Sequence, residues 1–357
     1  MDINTQFKNK LSNLFFLQIN KERAGCIFKT NIFEDIYMPI AAESIVNKIK
    51  DGENIESIPV VFFIEGMTYV LGADEKFKYN ESYKKLIKTF PESEKFIKGR
   101  IAERIKDNKF EDAYIMLKGL NRIENNKEYY NKLIMLAESL RTKNEAYIEE
   151  ELVVIDEAKS IENYAEPYFY EAHIKQEKGD YNGALFSINT YISKGGEETI
   201  EITEFKNSLK TIANYDEAKQ LVYEEPEKAL TILIPLLEEL GDKAEIYFHI
   251  AVGYRILENY DKAIYYLEKS LEIDSFYPEV FNELGINYAS LENFESAIHY
   301  FRKVFEATKS IEVCTNLVMC YLNIGDNKQA KIHLDIAKKI DPKDEILLEL
   351  EEILKKA

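Results

Sequence analysis

Three successive stretches between Ala244 and Pro342 can be laid under one another, and this repetition constrains the fold more than any other feature of the chain. Tyr254, Tyr288 and Tyr321 fall in register at steps of 34 and 33 residues. Ala263, Ala297 and Ala330 keep the same phase, as do the apolar Leu267, Phe301 and Leu334. A period of that length corresponds to one pair of antiparallel helices joined by a tight turn. Each helix of a pair carries an apolar stripe that it cannot bury alone, so neighbouring pairs must stack. Ala251 and Gly285 on the first helix, and the three alanines on the second, mark positions where helices approach too closely for a large side chain. Glu258-Asn259, Glu292-Asn293 and Gly325-Asp326 suit the reversals between them.

The phase extends towards the N-terminus. Ala229 lies 34 residues before Ala263, and Gly179, Tyr181, Ala184 and Ile188 restore the pattern further back. Phe110, Ala113 and Leu117 match the second half of a unit, so about seven helical pairs are expected over residues 91–343. The last stretch, residues 344–357, places Ile346, Leu347, Leu350, Ile353 and Leu354 on one helical face and is predicted to cap the stack.

Residues 1–90 do not follow the repeat. Ile3, Phe7, Leu11, Leu14 and Phe15 have helical spacing, and the opening helix is expected to run into an extended Phe-Leu-Gln-Ile stretch. A second helix is predicted over Phe33 to Lys50, stopped by Asp51-Gly52. The apolar runs on either side of Glu65-Gly66 are short and rich in β-branched and aromatic residues, which predicts a β-hairpin near 58–71. Asn80 to Phe90 then leads helically to a boundary at Pro91. The predicted architecture is mainly α: a right-handed α-solenoid of helical hairpins, preceded by a small α+β domain over residues 1–90.

Charge narrows the partners. The chain carries a formal charge of −18, yet residues 1–92 hold 12 basic against 13 acidic residues, so the acidity belongs to the helical part. That balance opposes attraction to nucleic acid or to an anionic membrane surface. Three cysteines, irregularly spaced, form no disulfide framework, and no apolar run approaches a membrane span. A reducing, cytoplasmic setting is expected. The Ile-, Lys-, Asn- and Glu-rich composition points to a bacterial coding genome.

Catalytic chemistry finds little support. His173, His249, His299 and His333 are scattered over separate units, none within four residues of another histidine or a cysteine. No phosphate loop, dinucleotide glycine cluster, nucleophile elbow or zinc-protease motif occurs. Neither cofactor nor metal is expected, and an enzyme is unsupported. If residues 1–90 held a site, it would depend on carboxylates, lysines, Tyr69 or Cys26, because they contain no histidine.

The repeating stretch resembles tetratricopeptide repeats. The bulky, small and tyrosine positions of their first helix appear as Tyr247, Ala251 and Tyr254, then Phe281, Gly285 and Tyr288. The aromatic-x-x-alanine of the second helix appears as Tyr260 and Ala263, then Phe294 and Ala297. Cys314, Val318 and Asn327 depart from the pattern, and the usual terminal proline stands only at Pro342. The resemblance covers 244–343, continues more loosely over 165–240 and does not reach residues 1–90.

It implies a protein or peptide partner held in a concave groove lined by the first helix of each pair. The positions carried over are Phe169 and His173; Phe248, Val252 and Arg255; Asn282 and Ile286; and Thr315 and Met319. Such a surface suits a segment with apolar anchors or basic residues. Glu166, Glu245, Glu279 and Glu312 recur at one place in four units, either as an acidic ladder for a cationic partner or as first-turn acids favoured by the helix macrodipole. Phe248, Val252, Glu283 and Glu312 stand where chaperone-tail receptors of this family place a basic and amide clamp, which argues against that ligand. The function expected is an interaction scaffold. Its alternatives are a peptide-sensing bacterial regulator and a ligand-binding or catalytic role in residues 1–90.

Overall fold

The computed structural model describes residues 2–32, 34–50 and 58–356. The chain divides into two compact units, Met1–Thr203 and Glu204–Ala357. In the first unit the elements run α1 (Ile3–Lys10), β1 (Leu14–Ile19), α2 (Lys21–Phe28), β2 (Ile36–Ala41), α3 (Ala42–Lys50), α4 (Val60–Ala73) and α5 (Asn80–Thr89). Helices α6 (Ser93–Lys106), α7 (Phe110–Glu124), α8 (Lys127–Arg141), α9 (Ile148–Ala158), α10 (Glu166–Glu177) and α11 (Tyr181–Ser193) follow. The division falls within α12 (Ile200–Leu221). The second unit continues with α13 (Pro226–Leu240), α14 (Ala244–Ile256), α15 (Tyr260–Ile273), α16 (Pro278–Ser290), α17 (Phe294–Thr308), α18 (Ile311–Asn323), α19 (Asn327–Ile340) and α20 (Ile346–Lys356). The architecture is mainly α, helical hairpins in tandem with one small sheet.

That sheet pairs β1 with β2, antiparallel, from Leu14 opposite Ala41 to Ile19 opposite Ile36. The extended stretch expected after the first helix is therefore β1. The helix predicted from Phe33 is corrected: β2 occupies Ile36–Ala41 and only Ala42–Lys50 is helical. Pro39 explains the difference, since proline breaks a helix interior but is tolerated in an edge strand, where it faces Phe16. Phe33 and the Asp51-Gly52 stop lie outside the described residues.

The hairpin expected near 58–71 is also corrected. Residues 60–73 form the single helix α4, in which every residue from Phe63 to Ala73 is buried. A continuous apolar run cannot be assigned to strand or helix by periodicity, and its β-branched residues describe a fit to a buried surface more than a backbone preference. Here α4 is packed by α1, β2, α5, α6 and α7, so every face is covered and no amphipathic stripe exists to betray the helix. The presumed turn glycine, Gly66, lies mid-helix, where a Cβ would stand 2.2 Å from the Pro39 carbonyl oxygen. One turn and a half further on, Gly72 crosses Gly119 of α7. A Cβ on either would fall within 2.0 Å of a carbonyl oxygen across the interface, Ile115 for Gly72 and Thr68 for Gly119.

Residues 1–90 share their core with helices α6 to α10: one apolar cluster runs from Ile3 and Phe7 through α4 and α7 to Ile174. Distant polar contacts cross it. Tyr83 donates its hydroxyl to the Tyr37 carbonyl, and Tyr114 and Lys118 of α7 both reach the buried Glu150 of α9.

In the second unit the repeat has a direct physical origin. Glu258, Glu292 and Gly325 take left-handed φ of 58°, 58° and 76° at the turn inside each pair. The next residue caps the second helix: Asn259, Asn293 and Asp326 accept the backbone N–H of Lys262, Ser296 and Gln329. Ala263, Ala297 and Ala330 are fully buried. The phased tyrosines stack on the partner helix twelve positions on. Tyr254 lies 5.5 Å from Tyr266, Tyr288 lies 5.6 Å from Tyr300, and Tyr321 lies 5.1 Å from His333. Leu347 and Leu350 of α20 are buried in the last core cluster, as a covering helix requires, while Leu348 stays 71% exposed.

Candidate functional site

The nine positions carried over from the groove pattern fall in both units and are described unit by unit. In the first unit, Phe169 and His173 stand one turn apart on α10 and meet edge to face at 4.6 Å, with Tyr191 of α11 beside Phe169 at 5.7 Å. Burial pulls the His173 imidazole below its ordinary range, against the pull of Glu138 and Glu177, so the ring is neutral at physiological pH.

In the second unit, four of the positions are occupied by packing. Val252 is fully buried in the core shared by α13 and α14, so it presents no surface. Thr315 is also buried, and its hydroxyl donates to the Glu312 carbonyl of its own helix at 2.9 Å. Arg255 Nε sits 2.6 Å from Glu283 Oε2 on the first helix of the next pair. That contact commits the two side chains to each other, although burial raises the Glu283 carboxyl by more than Arg255 lowers it. Phe248, half-buried, packs against Tyr277 at 5.4 Å and His249 at 5.2 Å.

The remaining three behave differently. Asn282 is half-buried, and its side-chain carbonyl oxygen has no hydrogen-bond partner among the described residues. Ile286 of α16 and Met319 of α18 converge on one cavity of about 290 Å³. Ala289, Phe294 and Phe301 extend its apolar wall, and Asn316 and Asn323 add two amides. Met319 is 41% exposed, so its flexible apolar side chain is within reach of a partner. Asn316 and Asn323 were not among the expected positions, although their spacing with Met319, at i, i+3 and i+7 along α18, places all three on one helical face.

Glu166, Glu245, Glu279 and Glu312 each stand exposed in the first turn of α10, α14, α16 and α18. That position satisfies the macrodipole and also leaves the carboxylates accessible to a partner.

Residues 244–277, 278–310 and 311–344 each match the tetratricopeptide repeat family. These residues are three tetratricopeptide repeats. Their helices correspond to α14–α15, α16–α17 and α18–α19, so the Ile286–Met319 cavity lies between the first helices of the second and third repeats. Solved structures similar to parts of the chain include the MamA protein, 17% identical with a TM-score of 0.38, over 50% of this chain and 92% of MamA. YrrB, described as a TPR protein with an unusual peptide-binding site, is 18% identical with a TM-score of 0.30, over 65% of this chain and 96% of YrrB. PilW, a type IV pilus biogenesis factor, is 17% identical with a TM-score of 0.37, over 63% of this chain and 99% of PilW. No curated protein matches the chain in sequence. Among the described residues no helix is long and apolar enough to cross a membrane.

Proposed function

We propose that the tetratricopeptide repeats form a protein-interaction scaffold that takes an apolar side chain of a peptide or protein segment into the cavity between α16 and α18. The observation that carries this reading is the convergence of Ile286 and the exposed Met319 on one concave volume. Methionine adapts to varied apolar partners, and the amides of Asn316 and Asn323 suit the backbone of an extended or helical segment. The exposed Glu245, Glu279 and Glu312, within an acidic chain, favour basic residues flanking the anchor.

Selection of a displayed random-peptide library on the full chain tests this. Enriched peptides should carry an apolar anchor with Lys or Arg nearby. Met319→Lys and Ile286→Lys should each weaken the selected peptide by about tenfold or more, the loss typical of a central anchor contact. Unchanged affinity in both folded variants overturns the site.

A further inference from the structure

The first unit holds a second cavity of about 290 Å³, partly open to solvent, whose wall mixes charged side chains with Leu14, Ala41, Ala42 and Gly66. Lys10, Glu43, Glu65, Tyr69, Arg104 and Asp112 line it, drawn from α1, α3, α4, α6 and α7. Lys10 Nζ lies 2.6 Å from Glu111 Oε2 and 2.7 Å from Asp112 Oδ1, and the Tyr69 hydroxyl donates to the same Oδ1 at 2.8 Å. Asp112 Oδ2 carries no such bond among the described residues. Glu65, 1% exposed, is held by Arg104 and, at 3.0 Å, by Arg100. Lys109 meets Glu43 Oε1 at 2.6 Å, and among the described residues Glu43 Oε2 makes no such contact.

Two cations, Lys10 and Arg104, and three carboxylates, Glu43, Glu65 and Asp112, thus face one open volume. The volume lies at the lower end of the ~300–1,000 Å³ range of small-molecule sites. A ligand of one sign would meet charges of its own sign on the wall, whereas a ligand carrying both signs finds donors and acceptors together. Lys10, Asp112 and Tyr69 are fixed in their ordinary ionic forms. Burial pulls the Lys10 amine down and the Asp112 carboxyl up, but their mutual hydrogen bonding outweighs this and leaves Lys10 raised and Asp112 lowered. Burial and Asp112 drive the Tyr69 hydroxyl far above its usual range. These three side chains therefore hold their charge states at neutral pH, which suits binding and not proton transfer.

We propose that this cavity binds a small zwitterion of amino-acid size, its carboxylate received by Lys10 and Arg104 and its ammonium by Asp112 and Glu43. The site is independent of the tetratricopeptide groove.

The test is calorimetry of the full chain against each of the twenty free L-amino acids, followed by the N-acetylated and carboxamide forms of whichever binds. At least one free amino acid should bind at about 1 mM or tighter, and each blocked form should be about tenfold weaker or worse. Ala42→Leu fills the volume without removing a charge and should abolish binding while helical circular dichroism is unchanged. Should that variant not fold, Leu14→Phe fills the same space from β1. Met319→Lys should leave amino-acid binding intact. Absence of binding by all twenty, blocked forms that bind equally well, or binding that survives the filled cavity would each overturn the proposal.

Discussion

Glu65 is an acid on a helix with no exposed face, and its environment accounts for how the charge is tolerated. Arg100 and Arg104, a turn apart on α6, both donate charge-assisted hydrogen bonds to its Oε1, and the Ser44 hydroxyl donates to Oε2 at 3.4 Å. Removing one partner of such a group leaves the other uncompensated. Glu65→Ala is expected to destabilise the first unit by about 3 kcal/mol, seen as lost hydrogen-exchange protection in α4; protection equal to the parent would show that the arginines are satisfied without it. Glu151 on α9 behaves in the opposite sense. Burial pushes its carboxyl up to about 6 from 4.5, despite the hydrogen bond from Arg141 at 2.6 Å. Between those values the folded chain keeps a proton that the unfolded chain has released, so stability is greatest below the lower value and falls as pH rises through the window. The loss should be on the order of 1 kcal/mol, and Glu151→Gln should flatten it when urea midpoints are compared at both ends. An identical pH dependence in parent and variant would remove Glu151 as the cause.

At the scale of elements, α4 and α7 cross through a glycine pair, and the crossing decides what α4 can be. A methyl group at Gly72 or Gly119 would strike backbone, which cannot rotate away as a side chain can. Gly72→Ala and Gly119→Ala are each expected to cost about 1–3 kcal/mol by overpacking, measured as a lowered unfolding midpoint. Gly99, inside α6, provides the control: nothing lies within 4 Å of its Cβ position, so Gly99→Ala should stabilise by about 0.5–1 kcal/mol through helix propensity. If all three alanines behave alike, the close approach of α4 and α7 does not exist in solution. The tetratricopeptide helices obey a different logic. Each is defined by its own neighbours: a left-handed turn residue, an Asn or Asp cap, a buried alanine and a stacked aromatic, all within one unit.

At the scale of the whole molecule, the two units differ in how much of their packing is legible in the order of their residues. In the tetratricopeptide repeats the residues that touch lie within about one period of each other, so their spacing along the chain records the packing directly. Tyr254, Tyr288 and Tyr321, the phased alanines and the turn pairs are all where the period places them. The first unit is tied by contacts such as Glu65 to Arg104, Tyr69 to Asp112, Tyr83 to Tyr37 and Gln6 to Glu111, separated by 39, 43, 46 and 105 positions. No local pattern encodes those, which is why an apolar run with strand composition became a helix. The candidate groove shows the same division on a smaller scale. The family resemblance pointed to Ile286 and Met319 together with Val252, Arg255 and Thr315, but only packing revealed that Val252 and Thr315 are buried and that Arg255 is spent on Glu283. Periodicity specifies which helix face a residue occupies; whether its side chain meets solvent or a neighbour depends on elements brought together from distant parts of the chain.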